Sequence, residues 1–306
     1  MTTGVAVVEH ALAFECEGES LFGILTTGSN TGPLGVVIVV GGPQYRVGSH
    51  RQFVLLARHL AAAGLPTLRF DYRGMGDSTG ARRTFDSVDA DIRAAIDALK
   101  EAAPALREVA LWGLCDGASA ALIYAATDPR VSAVVLANPW VRAEQTYARA
   151  RLRAYYWRRP LSLEFWTKLL RGGLEWRKSL GEAHSTVARA LQGKATEHGS
   201  FRDKMMSGLD RFGGRVLLLL SGRDLTATEF EQFVRSEPRA SSFRGPKVTT
   251  VRVPEADHTF SEETAMRTVE RATSRWLAVP SRDQAAAASI GQASRPRETA
   301  FREDGP

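Results

Sequence analysis

Cys115 has the clearest chemical setting in the sequence. It stands within Gly113-Leu114-Cys115-Asp116-Gly117, after the apolar run Glu108–Trp112 and before a helix-forming stretch, Gly117–Thr127. A strand that turns abruptly into a helix leaves no room for side chains two positions either side of its tip, where this segment carries glycines. The tip residue is then presented above the sheet edge, at the positive end of a helix. That location is expected to lower a thiol pKa and favour the thiolate. A free cysteine can also be an inert core residue, but the strand, the helix and both glycines favour a nucleophile.

A nucleophile of this kind needs a base and a group that orients the base. Asp224 follows the strand run Val216–Leu220 in Ser221-Gly222-Arg223-Asp224, and His258 follows Val248–Val253 in Glu255-Ala256-Asp257-His258-Thr259-Phe260. His258 would take the thiol proton and return it to a leaving group, while Asp224 would fix the imidazole tautomer and steady its positive charge. Asp257 is an alternative acid, but a side chain adjacent in sequence points elsewhere, which favours Asp224. Of the other histidines, only His50 is expected near the mouth of the site.

An acyl transfer also needs donors for the developing oxyanion. One is expected from the backbone N–H of Asp116, the residue after the nucleophile. The second should come from the loop after Leu34–Val40, Gly41-Gly42-Pro43-Gln44-Tyr45-Arg46. Pro43 has no N–H, so the backbone of Gln44 is the expected donor, with the Tyr45 hydroxyl or Arg46 as substitutes. Tyr45, Arg46, His50 and Trp140 are the residues expected to meet substrate.

These residues are positioned by a recurring strand–helix pattern. Val5–Glu15 and Ser20–Thr26 alternate apolar and polar residues as an antiparallel pair would. Leu34–Val40 is a continuous β-branched run suited to a strand buried on both faces. Helix 51–63, strand 66–70, helix 87–101, strand 108–112, helix 117–127 and strand 133–136 follow. The alternation resumes with strand 216–220, helix 228–236, strand 248–253 and helix 262–277. This spacing predicts a mostly parallel sheet with right-handed crossovers and helices on both faces. Residues 1–140 and 208–279 are expected to form the α/β core, residues 141–207 a helical lid insert, and residues 280–306 a disordered tail.

Asp71-Tyr72-Arg73-Gly74-Met75-Gly76-Asp77-Ser78 reads as a structural turn whose charges tie neighbouring loops together. No Walker lysine or dinucleotide fingerprint accompanies its glycines. The net charge of +6 and pI near 9.6 invite a nucleic-acid reading. Residues 142–194, however, hold twelve Lys or Arg against four Glu, so this stretch alone exceeds the charge of the whole chain. Four of the six tryptophans, Trp140, Trp157, Trp166 and Trp176, lie in or beside it. Interleaved aromatics and arginines suit an acyl pocket with an anion-binding rim, an anionic membrane surface, or a packed lid with solvated charges. No nucleic-acid motif accompanies them. Two cysteines make neither a disulfide framework nor a metal cluster. No metal or cofactor is expected. With no secretory signal or membrane-length apolar run in view, a cytoplasmic protein is expected, with peripheral inner-membrane contact as an option.

The elbow, the Asp71–Ser78 turn and the chain order of Cys115, Asp224 and His258 resemble the α/β-hydrolase superfamily over about Gly23 to Leu277. More narrowly, Gly41–Phe53 and Trp112–Ala120 (Trp-Gly-Leu-Cys-Asp-Gly-Ala-Ser-Ala) resemble the exosortase A system-associated hydrolases of type 1. That resemblance implies an acyl hydrolase or transferase connected with bacterial exopolysaccharide export or surface assembly. Its partners would be a small-molecule, lipid-linked or glycan-linked acyl substrate and, at the membrane, export machinery. The Cys-His-Asp set also resembles that of the dienelactone hydrolases, from whose compact form the long basic insert departs.

Overall fold

Leu34–Val39 is buried at every residue, as a β-branched run must be when both of its faces are covered. In the computed structural model it is β3 of an eight-stranded sheet. Residues 6–42, 44–142 and 198–279 are described. The expected helical insert falls mainly on residues 143–197 and the expected tail on residues 280–306, both outside the described residues.

The strands are β1 (Val7–Cys16), β2 (Glu19–Gly28), β3 (Leu34–Val39), β4 (Thr67–Asp71), β5 (Glu108–Leu114), β6 (Val131–Ala137), β7 (Arg215–Ser221) and β8 (Val248–Val253). Their spatial order is β1-β2-β4-β3-β5-β6-β7-β8. β1 and β2 pair antiparallel, β2 meets β4 antiparallel, and the remaining neighbours are parallel. The helices are α1 (Gln52–Ala62), α2 (Asp89–Ala102), α3 (Asp116–Ala125), α4 (His198–Arg211), α5 (Leu225–Ser236) and α6 (Glu263–Ala278).

Side chains that alternate along each strand divide the core in two. Val36 and Ile38 of β3, with Ala110 and Trp112 of β5, face α1 and α6. Val37, Val39, Val109 and Leu111 face the opposite layer, with α2, α3, α4 and α5. α3 is buried from Gly117 through Ala125. It is apolar on all sides and wedged between sheet and helices, so its N-terminus is a fixed platform. The expected core boundary at residue 208 falls inside α4, whose Phe201, Met205 and Leu209 are buried against this layer. Among the described residues no helix is long and apolar enough to cross a membrane.

The chain leaves β3 toward β4 and returns to β5 on the other side, so the strand order reverses between β3 and β5. Loops diverging at such a reversal open a crevice at the carboxyl ends of the strands. Cys115 follows β5, and the Gly41–Arg46 loop follows β3, so both lie at that crevice.

Candidate active site

Cys115 connects β5 to α3 with φ 59° and ψ −126°. This region of backbone space is closed to nearly all side chains and costs on the order of 1–3 kcal/mol. Its surroundings hold it there. Cys115 N–H donates to the Ala137 carbonyl at 2.9 Å, and its own carbonyl accepts from Ala118 at 3.1 Å and Trp140 at 3.2 Å. The flanking glycines are required by contact. A Cβ on Gly113 would lie 2.4 Å from the Gly117 carbonyl oxygen, and one on Gly117 would lie 2.5 Å from that of Val39. The half-buried thiol is left on a sharp turn at the sheet edge.

Asp224 caps α5, accepting from the Thr226 N–H at 3.1 Å and the Ala227 N–H at 3.0 Å. Its Oδ2 also lies 2.9 Å from Nδ1 of His258. Burial pushes the Asp224 carboxyl up, but the His258 imidazole and the two N–H groups outweigh it and hold the pKa below its ordinary value. Asp257, the alternative acid, turns the other way and accepts from Thr259 and Ser261.

Two residues that the sequence reading did not single out fix the histidine loop. Asn138, fully buried after β6, donates from Nδ2 to the His258 carbonyl at 3.0 Å and to Ser221 Oγ at 2.9 Å. Ser221 Oγ in turn donates to the Asp257 carbonyl at 2.7 Å. A non-glycine residue with positive φ at a strand end was the available signal, and only the fold reveals it (Asn138, φ 43°). His50 reaches the same loop, with Nε2 3.2 Å from Thr259 Oγ1. Trp140 lies beside the elbow through its backbone, and the Arg142 guanidinium sits 5.3 Å from its ring centroid.

The loop after β3 departs from expectation in three ways. Gln44 N–H points back to the Gly41 carbonyl at 3.4 Å, closing a turn, so it is not aimed at the elbow as an oxyanion donor. Its side chain is occupied by Ser49 and Gln52. Arg46 is not free to meet substrate, because its guanidinium is paired with Asp71 and Asp77. Tyr45 is exposed. The Gly42 N–H faces the carboxylate of Asp116, beside Cys115.

The thiol also corrects an expectation. Burial, followed by the carboxylates of Asp116 and Asp224, pushes the Cys115 pKa up, against the opposing pull of the Asp116 N–H and of Arg142. Helix N-terminal polarity is outweighed here by desolvation and like charge. Cys115 therefore rests as a thiol and needs a base to react. Among the described residues no group of three or more His, Cys, Asp or Glu could hold a metal ion. A cavity of about 320 Å³ opens beyond the acid loop, lined in part by Gly222, Thr228, Glu231 and Arg252. Neither Cys115 nor His258 lines it.

A family model described as serine aminopeptidase, S33, matches residues 32–189, just over half of the chain and including the elbow. The chain belongs to this hydrolase family. Structural likeness agrees on the α/β-hydrolase fold. An esterase from Pyrococcus furiosus superposes with a TM-score of 0.61 at 17% identity, covering 88% of this chain and 92% of its own. A dienelactone hydrolase from Anabaena variabilis gives 0.56 at 20% identity, covering 88% and 96%. Est1E from Butyrivibrio proteoclasticus, solved with ferulic acid bound, gives 0.58 at 17% identity, covering 87% and 98%. A polyketide transferase from Penicillium sp. is 29% identical over 133 residues, 41% of this chain and 42% of that protein. The match thus spans less than half of that relative's length.

Proposed function

We propose that this hydrolase cleaves an ester or thioester through an acyl-enzyme on Cys115. The observation that carries the reading is the backbone of Cys115, held at φ 59° and ψ −126° on a sharp turn. That strain is retained where an exposed nucleophile needs it and has no structural use of its own. The Asp224–His258 pair supplies the base, already oriented at 2.9 Å.

His258 Nε2 accepts the thiol proton as sulfur attacks the acyl carbonyl and the S–C bond forms. The oxyanion is met by the N–H of Asp116, the residue after the nucleophile. Collapse of the intermediate breaks the bond to the leaving group, which takes the proton from His258. Water, deprotonated by the same imidazole, then releases the acid and restores the thiol. Because the resting thiol pKa is raised, attack and proton transfer are coupled, as for a serine nucleophile.

The polyketide transferase relative favours a second reading, in which a hydroxyl acceptor replaces water in the last step. The motif resemblance of Gly41–Phe53 and Trp112–Ala120 would make that acceptor part of an exopolysaccharide system, with cytoplasmic or peripheral membrane location. Product analysis with and without an acceptor sugar separates transfer from hydrolysis.

The deciding experiment is a panel of activated esters and thioesters, with mass spectrometry of trapped enzyme. Cys115→Ala should lose turnover by on the order of 10⁴-fold or more and form no adduct. Cys16→Ala, at a buried position on β1, should retain both. Equal turnover by Cys115→Ala and wild type would refute the acyl-enzyme.

A further inference from the structure

His258 stands on a loop that is held from two sides. On the β6 and β7 side, Asn138 donates to the His258 carbonyl and Ser221 to that of Asp257. On the α1 side the hold comes from His50, whose Nε2 lies 3.2 Å from Thr259 Oγ1. These two residues are 209 apart in the chain. They meet because α1 and α6 pack on the same face of the sheet, where Phe53 and Phe260 are both buried. His50 also faces Asp257. Burial pushes that carboxyl up, but bonds from Ser261 and Thr259, with a weaker pull from His50, hold its pKa below the ordinary value.

The placement of His50 is unfavourable for the backbone. His50 (φ 42°, ψ 31°) and Arg51 (φ 64°, ψ 24°) follow one another in left-handed conformation, after Gly48 at φ 75°. A Cβ disfavours this region, and such departures persist only where the surroundings over-determine them. Gln44 supplies that constraint. Its Nε2 donates to Ser49 Oγ at 3.0 Å and its Oε1 accepts from Gln52 at 3.1 Å, bracing the turn on both sides of His50. Entry into a helix ordinarily uses an extended N-cap residue whose side chain caps the first turn. Arg51, the N-cap of α1, is left-handed and makes no such bond. What the turn does achieve is to set an imidazole against the residue that follows His258. The Asp224 bond fixes the His258 ring only at Nδ1, so the reach of Nε2 to the thiol follows the backbone of residues 257–259. We propose that His50 is a positioning residue for the acyl-transfer steps. Its contact with Thr259 closes the histidine loop from the α1 side and sets how far His258 Nε2 stands from Cys115. In this role it acts through Thr259 and not on the substrate.

The role rests on the acyl-enzyme reading, and the test separates the two. Turnover of 4-nitrophenyl butyrate and of the butyryl thioester of N-acetylcysteamine is measured for wild type, His50→Ala, His50→Gln, Thr259→Val and the double variant His50→Ala/Thr259→Val, with Cys115→Ala as the blank. His258 acts in both acylation and deacylation, so a misplaced imidazole slows both. His50→Ala and Thr259→Val should each lower kcat about tenfold, the scale of one hydrogen bond, with KM within about twofold of wild type. The double variant should lose no more than either single one. His50→Gln, whose amide nitrogen can take the place of Nε2, should recover most of the loss. Thr259→Val removes only a hydroxyl, so it reads the same contact even where the left-handed turn does not tolerate alanine. A wild-type kcat in His50→Ala and Thr259→Val, additive losses in the double variant, or a raised KM with kcat kept would overturn the positioning role and leave the acyl-enzyme standing. The last of these would put His50 against substrate. Wild-type turnover by Cys115→Ala, or neither turnover nor a Cys115 adduct in wild type, would overturn both.

Discussion

Two charged turns stand at the carboxyl edge of the sheet and follow opposite rules. In the turn after β4, Asp71 is fully buried and every demand is met. It pairs with Arg46, accepts from the N–H groups of Arg46 and Asp77, and its carbonyl accepts from Ser78 Oγ at 2.6 Å. Arg73 beside it is tied to buried Asp91. In the turn after β5, Cys115 is strained and Asp116 keeps a buried oxygen without a partner. The first turn spends its polar groups on holding loops together, and the second leaves one buried oxygen unpaired. Satisfaction of hydrogen bonds, more than burial or charge, separates the two turns.

The contrast can be broken by mutation. Asp224→Ala should have the largest effect, cutting turnover of an activated thioester by on the order of 10⁴-fold, because the imidazole loses its orienting partner. It should also cost about 1–2 kcal/mol in urea unfolding through loss of the α5 cap. Asp71→Ala should cost about 3–5 kcal/mol, since it strands Arg46 without its buried counter-charge. Loss of only a few tenths would mean that this network is no more structural than the elbow.

Asp116→Asn should do the reverse, and pH sharpens the test. Burial first, against the opposing pull of nearby N–H groups and His258, pushes the Asp116 carboxyl from 3.8 up to about 6. The folded state therefore binds this proton more tightly than the unfolded chain does. Stability is lost as pH rises from about 4 toward 6, and the loss is complete above the folded pKa. Relative to wild type, Asp116→Asn should gain up to about 3 kcal/mol between pH 4 and pH 7, read from urea midpoints at each pH. A difference that does not change with pH would place the carboxylate in an ordinary solvated setting. Cys115→Gly should raise stability by about 1–3 kcal/mol at neutral pH while abolishing turnover, because glycine accepts the backbone conformation that cysteine does not. A destabilised Cys115→Gly would show that the thiol's packing outweighs the strain.

Much of this was legible before any fold was considered. Burial on both faces demanded the apolar runs of β3, β5, β6 and β7. Helix periodicity set α2 and α6, and the two glycines two residues either side of Cys115 marked a turn that admits no Cβ. The contact of Asp224 with His258 was likewise expected from their places after β7 and β8. Less legible were the partners of the β3 loop. Gln44 and Arg46 offered suitable groups, but Gly41 and Asp71 had already claimed them. Asn138 and Ser221 gave no local sign that they hold the histidine loop, since they lie 83 residues apart and meet only across β6 and β7.

The sequence by itself determined the strands and the sharp turn at Cys115, because each depends on near neighbours: side-chain period, Cβ clashes and backbone freedom. Only the tertiary structure decided which polar groups are free and which way the Cys115 proton equilibrium moves. Those depend on desolvation and on charges brought together from distant segments, and neither is written in local order.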